Sequence, residues 1–410
     1  MGRRRSPPEP DPRAGLGRSN GPLRVVCHLC LAAGFLLFTS SCALPGRVRP
    51  TVKIGLVAPF EGRYRYVGYD VIYAVRLALR EANQDGAVAG YGVELVAYDD
   101  GADPAMAAQQ ARKLDVDPAV VGALGHFRAA TTAAARGVYA EARIPLLMAT
   151  GLDSQVPDGD ALYTLGPPAA QLALPLVDRA ARRAGDEPVV LLSDEEVLSK
   201  ALRQAAYRRG LELSSLSPDA EGWRREVLTL NPAVVLCDLD PLRAGEVVSA
   251  LRDDGWAGHV LGGPPLAAAD FAAVAGAAAA GSEFLTPWPF PTAVPGGDAF
   301  AAAYRQVSNG AAPGPLALPA YEGAWILLEA LEQAAADGAP TRARVSAALS
   351  NVQREGLLGQ LTPSDPGASS HRQLFWYRVD SEGVPRLMEG DLSSGIESIS
   401  QPLQTSSAGP

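Results

Sequence analysis

The 410-residue chain is poor in the residues that usually carry metal and redox chemistry, with four cysteines and four histidines. Cys27 and Cys30 lie in an apolar run near the N-terminus that reads as removable, so their C-x-x-C spacing takes no metal or redox role. The rest of the chain keeps Cys42 and Cys237, too few thiols and imidazoles for the usual metal sites. No metal and no cofactor is expected. Lysine is scarcer still: Lys53, Lys113 and Lys200 are the only ones, and the other basic residues are arginines. The net charge of -9 offers no basic surface for nucleic acid, so that class of partner is excluded. Also missing are a Walker glycine loop, an H-E-x-x-H pair and a G-x-S-x-G nucleophile elbow. Neighbouring acids such as Asp99 with Asp100, or Glu195 with Glu196, point to different sides of one turn and read as solvated charge. The chain is not expected to be an enzyme.

What is present begins with a targeting segment. Arg3, Arg4, Arg5, Arg13, Arg18 and Arg24 precede an apolar run over 25–38, broken only by His28. A basic leader, a short apolar stretch and then small residues make a secretory signal, and the run is too short to span a bilayer comfortably. Thr39, Ser40 and Ser41 stand directly before Cys42. This resembles the bacterial lipobox, in which the thiol is acylated and the chain is cut in front of it, although Thr39 replaces the typical leucine. The expectation is a signal peptide over 1–41, a lipid on Cys42, and a tether over 42–50. The protein would then be extracytoplasmic and anchored to the bacterial cell membrane. A plain signal peptide that happens to contain Cys42 is the alternative. Cys237, beside Val234, Val235 and Leu236, reads as a small buried core residue.

From Thr51 onward strand and helix patterns alternate. Residues 52–58 read as a strand buried on both faces. In 68–83, Val71, Val75, Leu79 and Ala82 recur at helical spacing. Strands at 93–98, 119–124 and 144–148 alternate with a helix opened by Asp103 and Pro104 and another over 131–142. The pattern repeats with helices at 169–184, 195–209, 242–253 and 267–275 and strands at 188–192, 233–237 and 259–261. Such order predicts an α/β fold of two doubly wound, Rossmann-like lobes. A proline-rich stretch follows, with Pro287, Pro289, Pro291 and Pro295, then helices at 298–307, 318–336 and 341–349 and a late strand at 372–379. The polar, serine-rich 390–410 reads as a disordered tail.

The stretch 52–154 resembles the leucine/isoleucine/valine-binding proteins of ABC importers, a family of type I periplasmic binding proteins. The resemblance is carried by Ile54 to Pro59 followed by Gly62 and Gly68, by Leu77 and Ala78 with Glu81 to Asn83, and by Tyr98 to Asp100 with Asp103 and Pro104. Gly122 to His126, and Tyr139 to Glu141 with Ile144 to Leu146, complete it. It implies two lobes joined by a three-segment hinge, with crossings near 165, 286 and 356. Lobe one would hold 51–165 and 287–356, and lobe two 166–286 and 357–389. It further implies a solute-binding lipoprotein that captures a small polar or anionic metabolite, amino acids included, and delivers it to an ABC permease and ATPase. A ligand-sensing protein of the same fold without transport is the alternative.

In open parallel sheets ligands sit beyond the carboxyl ends of the strands. This selects the loop with Tyr64, Arg65 and Tyr66, the loop with Phe127, Arg128 and Ala129, the loop with Thr150, Gly151 and Leu152, and Asp238 in lobe two. By resemblance, amino-acid binders place hydroxyl donors where this chain has Ala129 and Leu152, and an acid near Pro264 and Pro265. Thr131, Thr132 and Thr150 are the nearby hydroxyls, and Asp238 or Asp240 could supply the acid. Asp238 could equally cap the helix that starts at Pro241. Arg63, Arg65 and Arg128 are either solvated surface charge or forked donors for an anionic group. Tyr64 and Tyr66 either stack on a ligand or cover the loop. His126 reads as structural.

Overall fold

The computed structural model describes residues 2, 49–84, 88–149, 161–194, 197–336, 338–364 and 373–388. The targeting segment with Cys42, the loop with Thr150, Gly151 and Leu152, and the tail over 390–410 lie outside them. The described residues from Pro50 onward form a compact unit of their own.

The chain opens with β1 (Thr51–Ala58), α1 (Arg65–Gln84), β2 (Gly92–Asp99), α2 (Pro104–Val116), β3 (Val120–Gly125), α3 (Ala129–Ala142), β4 (Leu146–Met148) and β5 (Leu162–Thr164). These strands form a five-stranded sheet in the order β2-β1-β3-β4-β5, parallel throughout. Ile54, Leu56, Val57 and Ala58 are all buried, because helices cover both faces of the sheet. The Asp103 carboxylate caps α2 by accepting from Met106 N at 2.7 Å, with Pro104 at the first helical position.

The second block runs α4 (Ala169–Ala184), β6 (Val189–Ser193), α5 (Val197–Arg209), β7 (Leu213–Leu216), α6 (Trp223–Leu230), β8 (Val234–Asp238), α7 (Pro241–Asp253), β9 (His259–Gly262), α8 (Ala269–Ala275) and β10 (Glu283–Thr286). The chain then returns to the first sheet with α9 (Gly297–Val307), α10 (Ala317–Ala336) and α11 (Arg342–Leu349). It ends with the hairpin β11 (Arg354–Gly356) and β12 (Gly359–Leu361), then β13 (Phe375–Val379) and β14 (Pro385–Leu387). The second sheet has the order β14-β13-β10-β9-β8-β6-β7. It is parallel from β10 to β7, and β13 joins β10 antiparallel.

Helix α10 packs on α1, and Ala320, Ala324, Leu327 and Leu331 complete the first core. The segments linking the two sheets leave β5 before α4, leave β10 before α9, and enter β13 after the hairpin. Here the structure corrects one boundary. Residues 357–361, expected in lobe two, pack with lobe one: Leu361 is buried in the first core and Leu357 N donates to Glu322 of α10 at 2.7 Å. The Arg354 guanidinium also bonds Glu322, so the whole hairpin stays with the first sheet. Among the described residues no helix is long and apolar enough to cross a membrane.

Candidate functional site

The carboxyl ends of both sheets open on one cleft with a volume of about 230 Å³. Its walls come from the segments after β1, β3, β5, β6, β8, β9 and β10, so the parallel topology itself gathers them. Tyr64, Tyr66, Phe127, Arg128 and Ala129 contribute from the first sheet and Asp238 and Asp240 from the second. Most of the remaining surface is apolar: Leu172, Leu198, Leu239 and Leu316, the Trp288 ring, and five prolines at 167, 264, 265, 287 and 315.

Gly125 ends β3 with a φ of +132°, and a Cβ there would lie 2.2 Å from Val57 O. Only glycine lets the chain turn this closely past β1 into the 126–128 loop. His126 then points inward. Its Nδ1 lies 2.7 Å from Asp100 Oδ2 and its Nε2 3.1 Å from Tyr139 Oη, all buried, so the imidazole pins the loop instead of facing the cleft. Arg128 precedes α3 in extended conformation and makes no side-chain cap. Its guanidinium carbon lies 3.6 Å from the centroid of the Tyr64 ring, a cation–π stack on the cleft wall. Burial pushes the Tyr66 phenol up, which keeps it neutral and a hydrogen-bond donor.

The threonine hydroxyls near this loop are engaged by the backbone. Thr131 Oγ1 donates to Arg128 O at 3.0 Å, and Thr132 Oγ1 donates to the same carbonyl at 2.9 Å. Both hydroxyls serve the first turn of α3. Arg65 also departs from the expected set: it is exposed on the first residue of α1 and does not line the cleft. A side chain on that face of the helix start points to solvent. Arg63, two residues earlier, reaches the second lobe, with its Nη1 3.4 Å from Asp240 Oδ2 and 3.7 Å from Asp194 Oδ2.

In the second lobe, Asp240 is the helix cap. Its Oδ1 accepts from Leu242 N and Arg243 N, each at 3.1 Å. Asp238 ends β8, is 6% exposed, and lines the cleft. Asp238 therefore does not cap the helix at Pro241, a role that Asp240 fills. Cys237 is buried, and burial pushes its thiol up, in keeping with a core residue. Pro167, Leu172, Leu198, Trp288 and Leu316 were not singled out from the sequence. Trp288 sits in the proline-rich return, and its Nε1 donates to Ala149 O at 3.1 Å, which ties the second crossing to the end of β4. Among the described residues no cluster of three or more His, Cys, Asp or Glu side chains could hold a metal ion.

Two doubly wound lobes thus flank one cleft at their carboxyl edges, where open parallel sheets bind ligands. The family model described as "Periplasmic binding protein" matches residues 51–384, and the chain belongs to that family. Proteins of this family act outside the cytoplasm. One relative is the Leu/Ile/Val-binding protein homolog 2 of Brucella abortus (strain 2308), 30% identical over 125 residues. That match spans 30% of this chain and 31% of the relative, so less than a third of the relative's length is covered. Solved structures share the fold far more widely. The branched-chain amino acid transporter substrate-binding protein LivJ of Streptococcus pneumoniae, in complex with isoleucine, aligns at a TM-score of 0.72 with 20% identity, over 82% of this chain and 99% of its own. The fatty acid ABC transporter substrate-binding protein of Thermomonospora curvata aligns at 0.72 with 20% identity, over 84% and 92%.

Proposed function

We propose that this protein is the substrate-binding lipoprotein of an ABC importer, which closes its two lobes over a small organic anion and presents it to a permease and ATPase. In this reading residues 1–41 are a signal peptide, Cys42 carries the lipid, and 42–50 is the tether. Lobe one is 51–165 with 287–361, and lobe two is 166–286 with the strands after the third crossing. The observation that carries the reading is the cleft, walled by both lobes and aligned with the carboxyl ends of two parallel sheets.

The ligand class follows from the lining. Its apolar surface suits a compact hydrocarbon body, because burying apolar area contributes about 25 cal/mol per Å². Arg128 supplies the positive charge on lobe one, and guanidinium is a forked donor matched to carboxylates. Asp238 on lobe two accepts a hydroxyl or amino hydrogen of the ligand. Tyr64, Tyr66, Phe127 and Ala129 complete the lobe-one wall, and Thr150, Gly151 and Leu152 are further ligand-contact candidates that lie outside the described residues. Free branched-chain amino acids are poor candidates. Ala129 stands where a hydroxyl donor is needed, and Thr131 and Thr132 spend theirs on the backbone. Relatives on this fold are named for isoleucine and for fatty acid, so the fold admits both polar and apolar cargo.

Calorimetry on residues 50–410 with leucine, isoleucine, valine, benzoate and hexanoate tests this. The carboxylates should bind more tightly than the amino acids. Arg128→Ala should weaken carboxylate binding about tenfold or more, the size of a lost charge-assisted hydrogen bond. Tight leucine binding that Arg128→Ala leaves intact would refute the assignment.

A further inference from the structure

Arg63 does not line the cleft, yet it reaches across its rim from one lobe to the other. It sits in a single 3-10 turn, Gly62–Tyr64, between β1 and α1. Gly62 opens that turn with a φ of +72°, a conformation that favours glycine. From there Arg63 Nη1 faces two carboxylates of the second lobe, Asp240 at 3.4 Å and Asp194 at 3.7 Å. Asp194 follows β6 and Asp240 caps α7, so both are fixed to rigid elements. The Asp240 side chain is 1% exposed with Arg63 in place, whereas Arg63 itself is 59% exposed. The Arg63 guanidinium also lies 5.7 Å from the Tyr64 ring, on which Arg128 of the cleft wall stacks.

We infer that Arg63 is an interlobe latch, a positioning residue that favours the closed arrangement without touching the ligand. This rests on the reading of the cleft as a binding site that closes. Its physical basis is differential contact: the pair exists only when the lobes are together, so it shifts the open–closed equilibrium by its own free energy and no more. One arginine facing two acids relieves their mutual repulsion, and on opening the three charges return to water. A pair whose arginine remains largely in water changes an equilibrium by about two- to fivefold, and salt weakens it. The rest of the closing free energy is left to the ligand.

The test needs no ligand, so its outcome is separable from the ligand class. Small-angle scattering on residues 50–410 would be measured from about 0.05 M to about 1 M NaCl, where the screening length falls to about 3 Å. The radius of gyration should rise with salt as the open population grows about two- to fivefold. Arg63→Ala should start at the high-salt value and lose the salt response, and Arg63→Lys should restore part of it. Arg63→Glu should open the lobes further, since three like charges would then meet. An unchanged melting temperature in Arg63→Ala would show that the fold is intact. Identical scattering and salt response in wild type and Arg63→Ala would overturn the latch, as would a wild-type radius that does not respond to salt.

Discussion

Asp70 is a charged residue in the middle of α1, buried in the first core, and it shapes the cleft from behind. Its carboxylate accepts from Gly314 N at 2.7 Å and Leu316 N at 2.6 Å, and so holds the segment whose Pro315 and Leu316 form part of the wall. Burial pushes its pKa up to about 7, against the opposing pull of the backbone donors. The sign follows from linkage: an acid whose folded pKa exceeds its ordinary 3.8 contributes stability that is complete below that value and lost as pH rises through about 7. Urea denaturation should show stability falling between about pH 4 and 7, with this group contributing at most about 4 kcal/mol. Asp70→Asn cannot titrate and should flatten that slope; an unchanged slope would remove Asp70 from the account. Residues of this kind set the limit of a sequence reading. His126 was legible as structural because it sits beside the glycine that turns the loop. Arg65 and Arg63 were not distinguishable, since which of two nearby arginines reaches the second lobe depends on where the 3-10 turn ends and α1 begins.

At the scale of elements, most of the alternation was legible, and what escaped was short. Helix α4 carries clear apolar periodicity, and the long α10 is apolar and buried along most of its length. Strand β10 has four residues and begins with Glu283, so no apolar run announces it. The structure explains how that charge is tolerated. Glu283 is 2% exposed and accepts from Arg179 at 2.5 Å, Arg183 at 2.8 Å and Arg378 at 2.6 Å, which joins α4 and β13 to β10. Burial acts to raise its pKa, but the three guanidiniums outweigh it and hold the carboxyl below the ordinary carboxylate range. Its contribution is therefore present above the ordinary value and lost as pH falls through the folded one. Glu283→Ala leaves three facing arginines without their acid and should destabilise lobe two by about 3–5 kcal/mol in urea denaturation. A loss below about 1 kcal/mol would mean that the cluster is solvated surface charge. Strand β7 escaped for a different reason: Ser214 and Ser215 occupy half of an edge strand, where one side needs no apolar neighbour.

For the molecule as a whole, two lobes and a central cleft followed from the repeated strand–helix order, while the third crossing did not. The hairpin β11–β12 is anchored by Glu322, and nothing local to residues 354–361 reveals that partner thirty residues upstream. Membrane attachment is tested separately: labelled fatty acid fed to an expressing bacterium should mark the wild type and not Cys42→Ser, and equal labelling would exclude the anchor. The central claim is that both lobes close on one small anion. The measurement that tests it most directly is a crystal structure of residues 50–410 with a bound carboxylate. The account predicts density between Tyr64 and Asp238, with contacts to both lobes and a carboxylate oxygen within about 2.7–3.2 Å of the Arg128 guanidinium. A ligand that touches one lobe alone, or sits outside this cleft, would contradict it.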